Sequence, residues 1–332
     1  MNIYELVGGK LTLSSSQDTL PHGIKCATFG ASRVAERHVA LGDYNGRLTI
    51  LDLERMSSGN SMSSNGKNGK KNEPNNNDPL YSVQAHEGII NAIDGIGGIH
   101  GFGNGAPEIV TGGRDGCVRV WDPRVSNPVV SFEPTQTQNT QSGREREQRD
   151  CWAVAFGNTY NSEERCVCAG FDNGDVKLFD LKTNQVRWEG NCNNAVTSIQ
   201  FDRPDIEMNK MVVTTLESKF RTYDLRTQHK TEGFAHVSEL AHRSTVWIAK
   251  HLPQNRDIFM TGGGNGGFNI YKYHYPNKRQ RQHPQDSSII GVPGSVELLN
   301  SRVMSSQPLS SFDWNMDREG LCCMSFLDQS LR

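Results

Sequence analysis

The side chains best equipped for chemistry are the cysteines, eight in all, at positions 26, 117, 151, 166, 168, 192, 322 and 323. Thiolates ligate soft metals and attack electrophiles, so their spacing is the first thing to test. Cys166 and Cys168 are separated by one residue, and Cys322 and Cys323 are adjacent. Neither spacing is the Cys-x-x-Cys of a zinc or dithiol site, and the number is low for a disulfide scaffold. They read as reduced, mostly buried thiols of a cytosolic protein. Other signatures are missing too. There is no His-x-x-x-His pair, no Gly-rich phosphate loop ahead of a helix, and no serine elbow. The glycine-rich GGIHGFGNGAP, residues 97–107, lacks the Lys-Ser/Thr of a phosphate loop and precedes a strand-like segment, so it reads as a loop between strands. The sequence therefore predicts no enzyme, no catalytic residue, no metal and no cofactor.

Charge narrows the partners. Lys plus Arg is 35 and Asp plus Glu 37, a net −2. A near-neutral chain carries no electrostatic footprint for nucleic acid or an anionic membrane, so neither is expected as a partner. No apolar run approaches the roughly 20 residues of a membrane span. The opening segment has no basic region followed by an apolar stretch, so no secretory signal is expected and the location predicted is the cytoplasm.

The elements that would carry any site come in repeats. GDYNGRLTILDL begins at Gly42, GGRDGCVRVWDPR at Gly112 and GFDNGDVKLFDL at Gly170; TLESKFRTYDLR begins at Thr215 and GGGNGGFNIYKY at Gly262. Each has a small residue, an acidic or amide turn, alternating residues, then an aromatic or Leu, usually with Asp after it. The closing positions are Asp52, Asp122, Asp180, Asp224 and Lys272. A four-stranded propeller blade needs about 40 to 45 residues, and the first two intervals are longer than that because they hold insertions. One is residues 57–79, rich in Ser, Asn, Gly and Lys; the other is the polar 135–148. The first has too little apolar content to order itself, and both read as surface loops. Short alternating strands such as CWAVAF, VTSIQF and VWIAKH, split by Gly and Asp turns, indicate an all-β chain, one propeller domain over 1–332. Five full blades can be counted. Ile3–Tyr4–Glu5 reads as the end of another, and LSSFDW with LCCMSF as the start of one more. The two parts either belong to a ring that this sequence leaves incomplete or combine as a sixth blade.

At Ala85–His86, Arg114–Asp115–Gly116 and Trp121–Asp122 the sequence resembles the WD-repeat β-propeller family. The resemblance implies a buried hydrogen-bonded set of His86, Thr111, Asp115 and Trp121, structural rather than catalytic. His242, Thr261, Asn265 and Tyr271 match it in part, with Asn for Asp and Tyr for Trp. Longer strings, among them IKCATFGAS, RDCWAVAFGNTYNSEERCVCAGFDNGDVKLFDL and HLPQNRDIFMTGGGNGG, resemble the WD-repeat dynein axonemal assembly factors over nearly all the chain outside the insertions. That likeness implies a seven-bladed propeller with first and last blades incomplete here. It also implies a cytosolic scaffold that joins dynein heavy chains to a prefoldin-like co-chaperone complex in dynein-arm assembly. A peptide reader, such as the substrate receptor of a ubiquitin ligase, is the alternative.

Aligning the first strands puts Lys25, Asn91, Trp152, Thr197, Trp247 and Ser310 in one column. Its side chains point opposite to the apolar residue before them. Two tryptophans in an otherwise polar column are expected anchors for a partner, because aromatics dominate interface energetics. Arg114 and Phe171, each read as lying just before a turn Asp, are expected on the same rim. Trp188 and Trp314 are expected in the core.

Overall fold

The computed structural model describes residues 2–16, 20–58, 78–97, 108–134, 149–203 and 206–332. The second polar insertion, residues 59–77 of the first, and 98–107 of the glycine-rich segment lie outside the described residues. The edges of the first insertion are described, and residues 57 and 58 belong to a short helix, α1 (Leu53–Ser58).

The chain opens with a hairpin, β1 (Asn2–Val7) and β2 (Lys10–Ser16). Five four-stranded sheets follow. The first blade is β3 (Ile24–Thr28), β4 (His38–Asp43), β5 (Arg47–Asp52) and β6 (Tyr81–Gln84). The second is β7 (Ile90–Gly95), β8 (Ile109–Gly113), β9 (Val118–Trp121) and β10 (Val130–Phe132). The third is β11 (Cys151–Gly157), β12 (Cys166–Phe171), β13 (Asp175–Asp180) and β14 (Gln185–Asn191). The fourth is β15 (Val196–Phe201), β16 (Lys210–Thr215), β17 (Lys219–His229) and β18 (Gly233–Leu240). The fifth begins with β19 (Val246–Leu252), β20 (Asn255–Gly263) and β21 (Gly267–His274), then leaves its sheet for the hairpin β22 (Gln280–Gln282) and β23 (Ile289–Gly291), and ends with β24 (Ser295–Val303). A last pair, β25 (Leu309–Trp314) and β26 (Cys322–Phe326), closes the described chain.

All pairing within the blades is antiparallel, as in a meander. The inner strands touch in sequence order, β3 to β7, β7 to β11, β11 to β15, β15 to β19 and β19 to β25. Sheets therefore stack face to face around a line of inner strands, and the core lies between blades. Cys166, Cys168 and Leu178 of the third blade meet Val196, Ile199 and Met211 of the fourth. Each such apolar side chain contributes about 1.5–3 kcal/mol when fully buried. In four of the five repeats a glycine, Gly42, Gly112, Gly170 or Gly262, serves this stacking. A Cβ on Gly112 would lie 2.5 Å from Cys151 Sγ, and one on Gly170 would lie 2.3 Å from Val196 Cγ1. The next blade's inner strand comes that close only because both are glycine.

The two partial elements do not merge. β1–β2 and β25–β26 are separate two-stranded sheets, so the joint sixth blade is not formed. Ile3 packs instead on Val39, Leu41 and Leu51 of the first blade.

Candidate functional site

The second blade brings His86, Thr111, Asp115 and Trp121 together in its interior. His86 comes just before β7, Thr111 sits on β8, Asp115 in the β8–β9 turn and Trp121 at the end of β9. The Trp121 indole can only donate, and it lies 2.9 Å from Thr111 Oγ1. That hydroxyl in turn donates to His86 Nε2, 2.7 Å away, which leaves Nδ1–H to donate to Asp115 Oδ1 at 2.8 Å. The tautomer follows from the network. The amides of Cys117 and Glu87 donate to the same carboxylate at 3.1 and 3.2 Å, and Arg119 Nη1 reaches it at 3.0 Å. Burial raises the Asp115 carboxyl, but the His86 hydrogen bond and the two amides outweigh it and hold the group well below the usual carboxylate range. His86, Thr111, Asp115 and Trp121 are buried and each is committed to a partner, so the set fixes the turn. Sequence reasoning missed Arg119, whose guanidinium also donates to the Ala85 carbonyl at 2.7 Å.

In the fifth blade His242 Nε2 lies 2.9 Å from Thr261 Oγ1. Asn265 Oδ1 accepts from Ser244 and from the Gly267 amide. The Tyr271 hydroxyl accepts from Asn269 at 3.1 Å. Tyr271 keeps a hydrogen bond to Thr261, as Trp121 does to Thr111, while Asn265 turns to Ser244 and the Gly267 amide.

The aligned column of the first strands has a structural cause. The register of each inner strand skips one residue, between Ile24 and Cys26, Ile90 and Ala92, Cys151 and Ala153, Val196 and Ser198, Val246 and Ile248, and Leu309 and Ser311. The skipped residues are Lys25, Asn91, Trp152, Thr197, Trp247 and Ser310. A β-bulge leaves its extra residue out of the ladder and re-aims the side chain. Trp247 is 41% exposed, and Trp152 is half-buried with its indole hydrogen-bonded to Asp150. Burial and then Asp172 raise the Asp150 carboxyl, against the pull of Arg114 and Trp152. Two polar atoms here, Asn91 Nδ2 and Asp172 Oδ1, are buried with no hydrogen-bond partner.

Arg114 is exposed in the turn, as expected. Phe171 is not on the rim. It is 8% exposed, pairs with Cys151 inside the ladder and packs with Val118, Val154 and Phe156. The turn begins one residue later than read. The left-handed turn residues Gly116 and Gly174 correspond, with φ of 72° and 90°, which makes Asp172 the counterpart of Arg114 and Asn173 that of Asp115. Trp314 is buried, and Trp188 is half-buried against the third-to-fourth blade core.

Among the described residues no group of three or more His, Cys, Asp or Glu could hold a metal, and all eight cysteines are free thiols. Burial pushes the thiols of Cys26 and Cys166 up to about 12 and that of Cys117 up to about 11, so they are poor nucleophiles. No described helix is long and apolar enough to cross a membrane.

Stacked four-stranded antiparallel sheets with a His–Asp–Thr–Trp set define a WD-repeat β-propeller. The model of the WD domain, G-beta repeat, matches residues 77–122, and that of the Nucleolar protein 10-like N-terminal domain matches 104–251. Along its whole length the chain is 50% identical to Dynein axonemal assembly factor 10 of Homo sapiens, of which it covers 85%. It is 50% identical to that of Danio rerio, covering 84%, and 48% identical to that of Chlamydomonas reinhardtii, covering 85%. The chain belongs to the dynein axonemal assembly factor 10 family.

Proposed function

We propose that this protein is a non-enzymatic scaffold in the cytoplasmic pre-assembly of axonemal dynein arms, holding dynein heavy chains against subunits of a prefoldin-like co-chaperone complex. The observation that carries the reading is identity near one half, sustained over the whole chain, to relatives named as dynein axonemal assembly factors. The geometry suits it. A stack of sheets locked by buried hydrogen bonds is rigid, and it presents Trp247, Trp152 and Arg114 at one end without a bond being made or broken. Rigid aromatic anchors bind with little loss of conformational entropy. The test is affinity capture of the chain from the cytosol of ciliating cells, read by mass spectrometry. Co-chaperone subunits together with dynein heavy chains are the expected catch. Adaptors of a ubiquitin ligase in their place would replace this reading with that of a substrate receptor.

A further inference from the structure

A cleft of about 490 Å³ opens on the outer wall of the propeller, between β14 of the third blade and β18 of the fourth. It lies on the outermost strands, whereas the bulges lie on the innermost ones, and it is independent of the function proposed above. Its floor is aromatic. The Trp188 indole meets the Tyr223 ring at 5.3 Å and the Phe234 ring at 5.2 Å. The floor is fitted rather than a by-product of blades diverging outward. A Cβ on Gly190 would lie 2.6 Å from Trp188 Cζ2, and one on Gly233 would lie 2.4 Å from Trp188 Nε1, so the indole is slotted between two glycines.

The rim is cationic. Arg187, Arg221 and Lys230 line it and form no ion pair within 4 Å among the described residues. Arg221 commits Nη1 to the Asn191 carbonyl at 2.7 Å and to the Tyr223 hydroxyl at 3.4 Å, which leaves Nε and Nη2 for a ligand. Of the two acids on the lining, Glu189 is 3.3 Å from Lys177, so Glu232 is the carboxylate left against three cations. Burial and then the charge of Arg221 lower the pKa of His236 beside it, as a positive local potential should. In a chain of net charge −2 this is a local surplus.

Two further observations fix the kind of occupant. Gly291 of the hairpin β22–β23 lies against Ala235, the residue between Phe234 and His236, so one face of β18 is already covered by a polypeptide segment. The cleft is the opposite face of the same strand, left open. Addition of a strand to β14 is blunted. Arg187 is a bulge residue there, between Val186 opposite Phe179 and Trp188 opposite Leu178, and the Arg187 and Asn191 carbonyls are capped by Gln228 and Arg221. Recognition has to run through side chains.

We propose that this cleft binds an acidic segment of a partner protein, its carboxylates held by Arg187, Arg221 and Lys230 and an apolar side chain laid on Trp188. The probe is a fluorescein-labelled peptide, EEFDELDEE, titrated against the full chain and read by anisotropy, with a control peptide carrying Lys at every acidic position. Saturable binding of the acidic peptide alone is expected, weakened by salt. Arg187→Glu with Lys230→Glu should weaken it about tenfold, as two exposed attractions become repulsions. Both sites are exposed, and an unchanged circular dichroism melt verifies the fold. Peptide binding should also change tryptophan emission, and the change should vanish in Trp188→Phe. No saturable binding, or equal affinity in the folded double variant, overturns the proposal. So does an oligothymidylate that binds through the same residues more tightly than the peptide, since the ligand would then be nucleic acid.

Discussion

Lys210 Nζ lies 2.9 Å from Asp257 Oδ1, an ion pair that ties the fourth blade to the fifth. Lys210 is fully buried, and the same ammonium donates to the Tyr275 hydroxyl at 2.9 Å and lies 4.9 Å from the centre of that ring. Asp202, also buried, is 3.4 Å from Lys210 and accepts from Arg256 Nε at 2.8 Å. A charge with no access to water is tolerable only because its donors are all placed. The pairing bridges 47 residues of chain and adds an ionic link between sheets that also meet through an apolar cluster and through hydrogen bonds such as Arg256 Nη2 to the Glu207 carbonyl.

Replacing Lys210 by Met should therefore destabilise the propeller by about 3 kcal/mol, the low end for breaking a buried pair, because Asp202 keeps Arg256 and Asp257 is partly solvated. Urea unfolding followed by circular dichroism measures it. A loss below about 1 kcal/mol would show that the network is neutral against an apolar replacement.

His251 beside this network predicts an acid limb to stability. Its ring is buried and neither nitrogen has a hydrogen-bond partner. Burial, then the charges of Lys210 and Arg256, hold its pKa well below the ordinary value. The unfolded chain binds the proton more readily, so stability is full above about pH 6.5 and falls as pH drops below it. The slope should approach about 1.4 kcal/mol per pH unit between pH 6 and 5. Asp115, whose carboxyl is depressed, adds acid sensitivity only below about pH 4, where an ordinary Asp begins to protonate. His251→Leu should make the fall in melting temperature between pH 7 and 5 shallower, the remainder belonging to His236 and His242, whose burial lowers their pKa as well, and leave the lower limb in place; an unchanged upper limb would assign it to those two histidines.

The second-to-third-strand turns carry a left-handed residue in every full blade. Four are glycines, Gly46, Gly116, Gly174 and Gly266, with φ between 69° and 90°; the fourth blade has Ser218 at φ 69°. A side chain in that region costs about 1–2 kcal/mol, part of which glycine returns as unfolded-state entropy. Ser218→Gly should raise stability by about 0.5–1 kcal/mol, seen as a higher denaturant midpoint with an unchanged slope. A lower midpoint would mean that the serine hydroxyl holds the turn.

Local features were legible in the sequence and long-range ones were not. The Gly–Asp turns and alternating strands located the third strand of all five blades and the second strand of four, because both are written in neighbouring residues. The column of Trp152 and Trp247 was visible too, although its cause, a bulge repeated in each inner strand, needs the partner strand to be seen. Phe171 was misplaced because GFDNG offers two candidate turn residues, the acid Asp172 and the amide Asn173, and only backbone φ separates them. The Lys210–Asp202–Asp257–Arg256 network was missed because a buried lysine and an exposed one look alike in sequence. The hairpin β22–β23 was missed because its strands are three residues each and RQRQ has no apolar alternation, although Pro284 and Asp286 mark the turn between them.

Trp152 and Trp247 carry the remaining prediction. Both stand outside the ladder as bulge residues, so truncating them removes no backbone pairing and little core. Trp152→Ala with Trp247→Ala should leave the circular dichroism spectrum unchanged and lower the melting temperature only slightly. If the bulged end is where partners dock, each indole is worth about 1–2 kcal/mol of binding, and the double variant should retain less than about a tenth of the captured co-chaperone and dynein subunits. The control is the cleft variant Arg187→Glu with Lys230→Glu, which leaves the bulged end intact. Loss of the same partners from both variants would mean one ligand spanning end and wall. Full retention by the folded tryptophan variant would remove the bulged end as the docking face and leave the wall cleft to be tested against those partners.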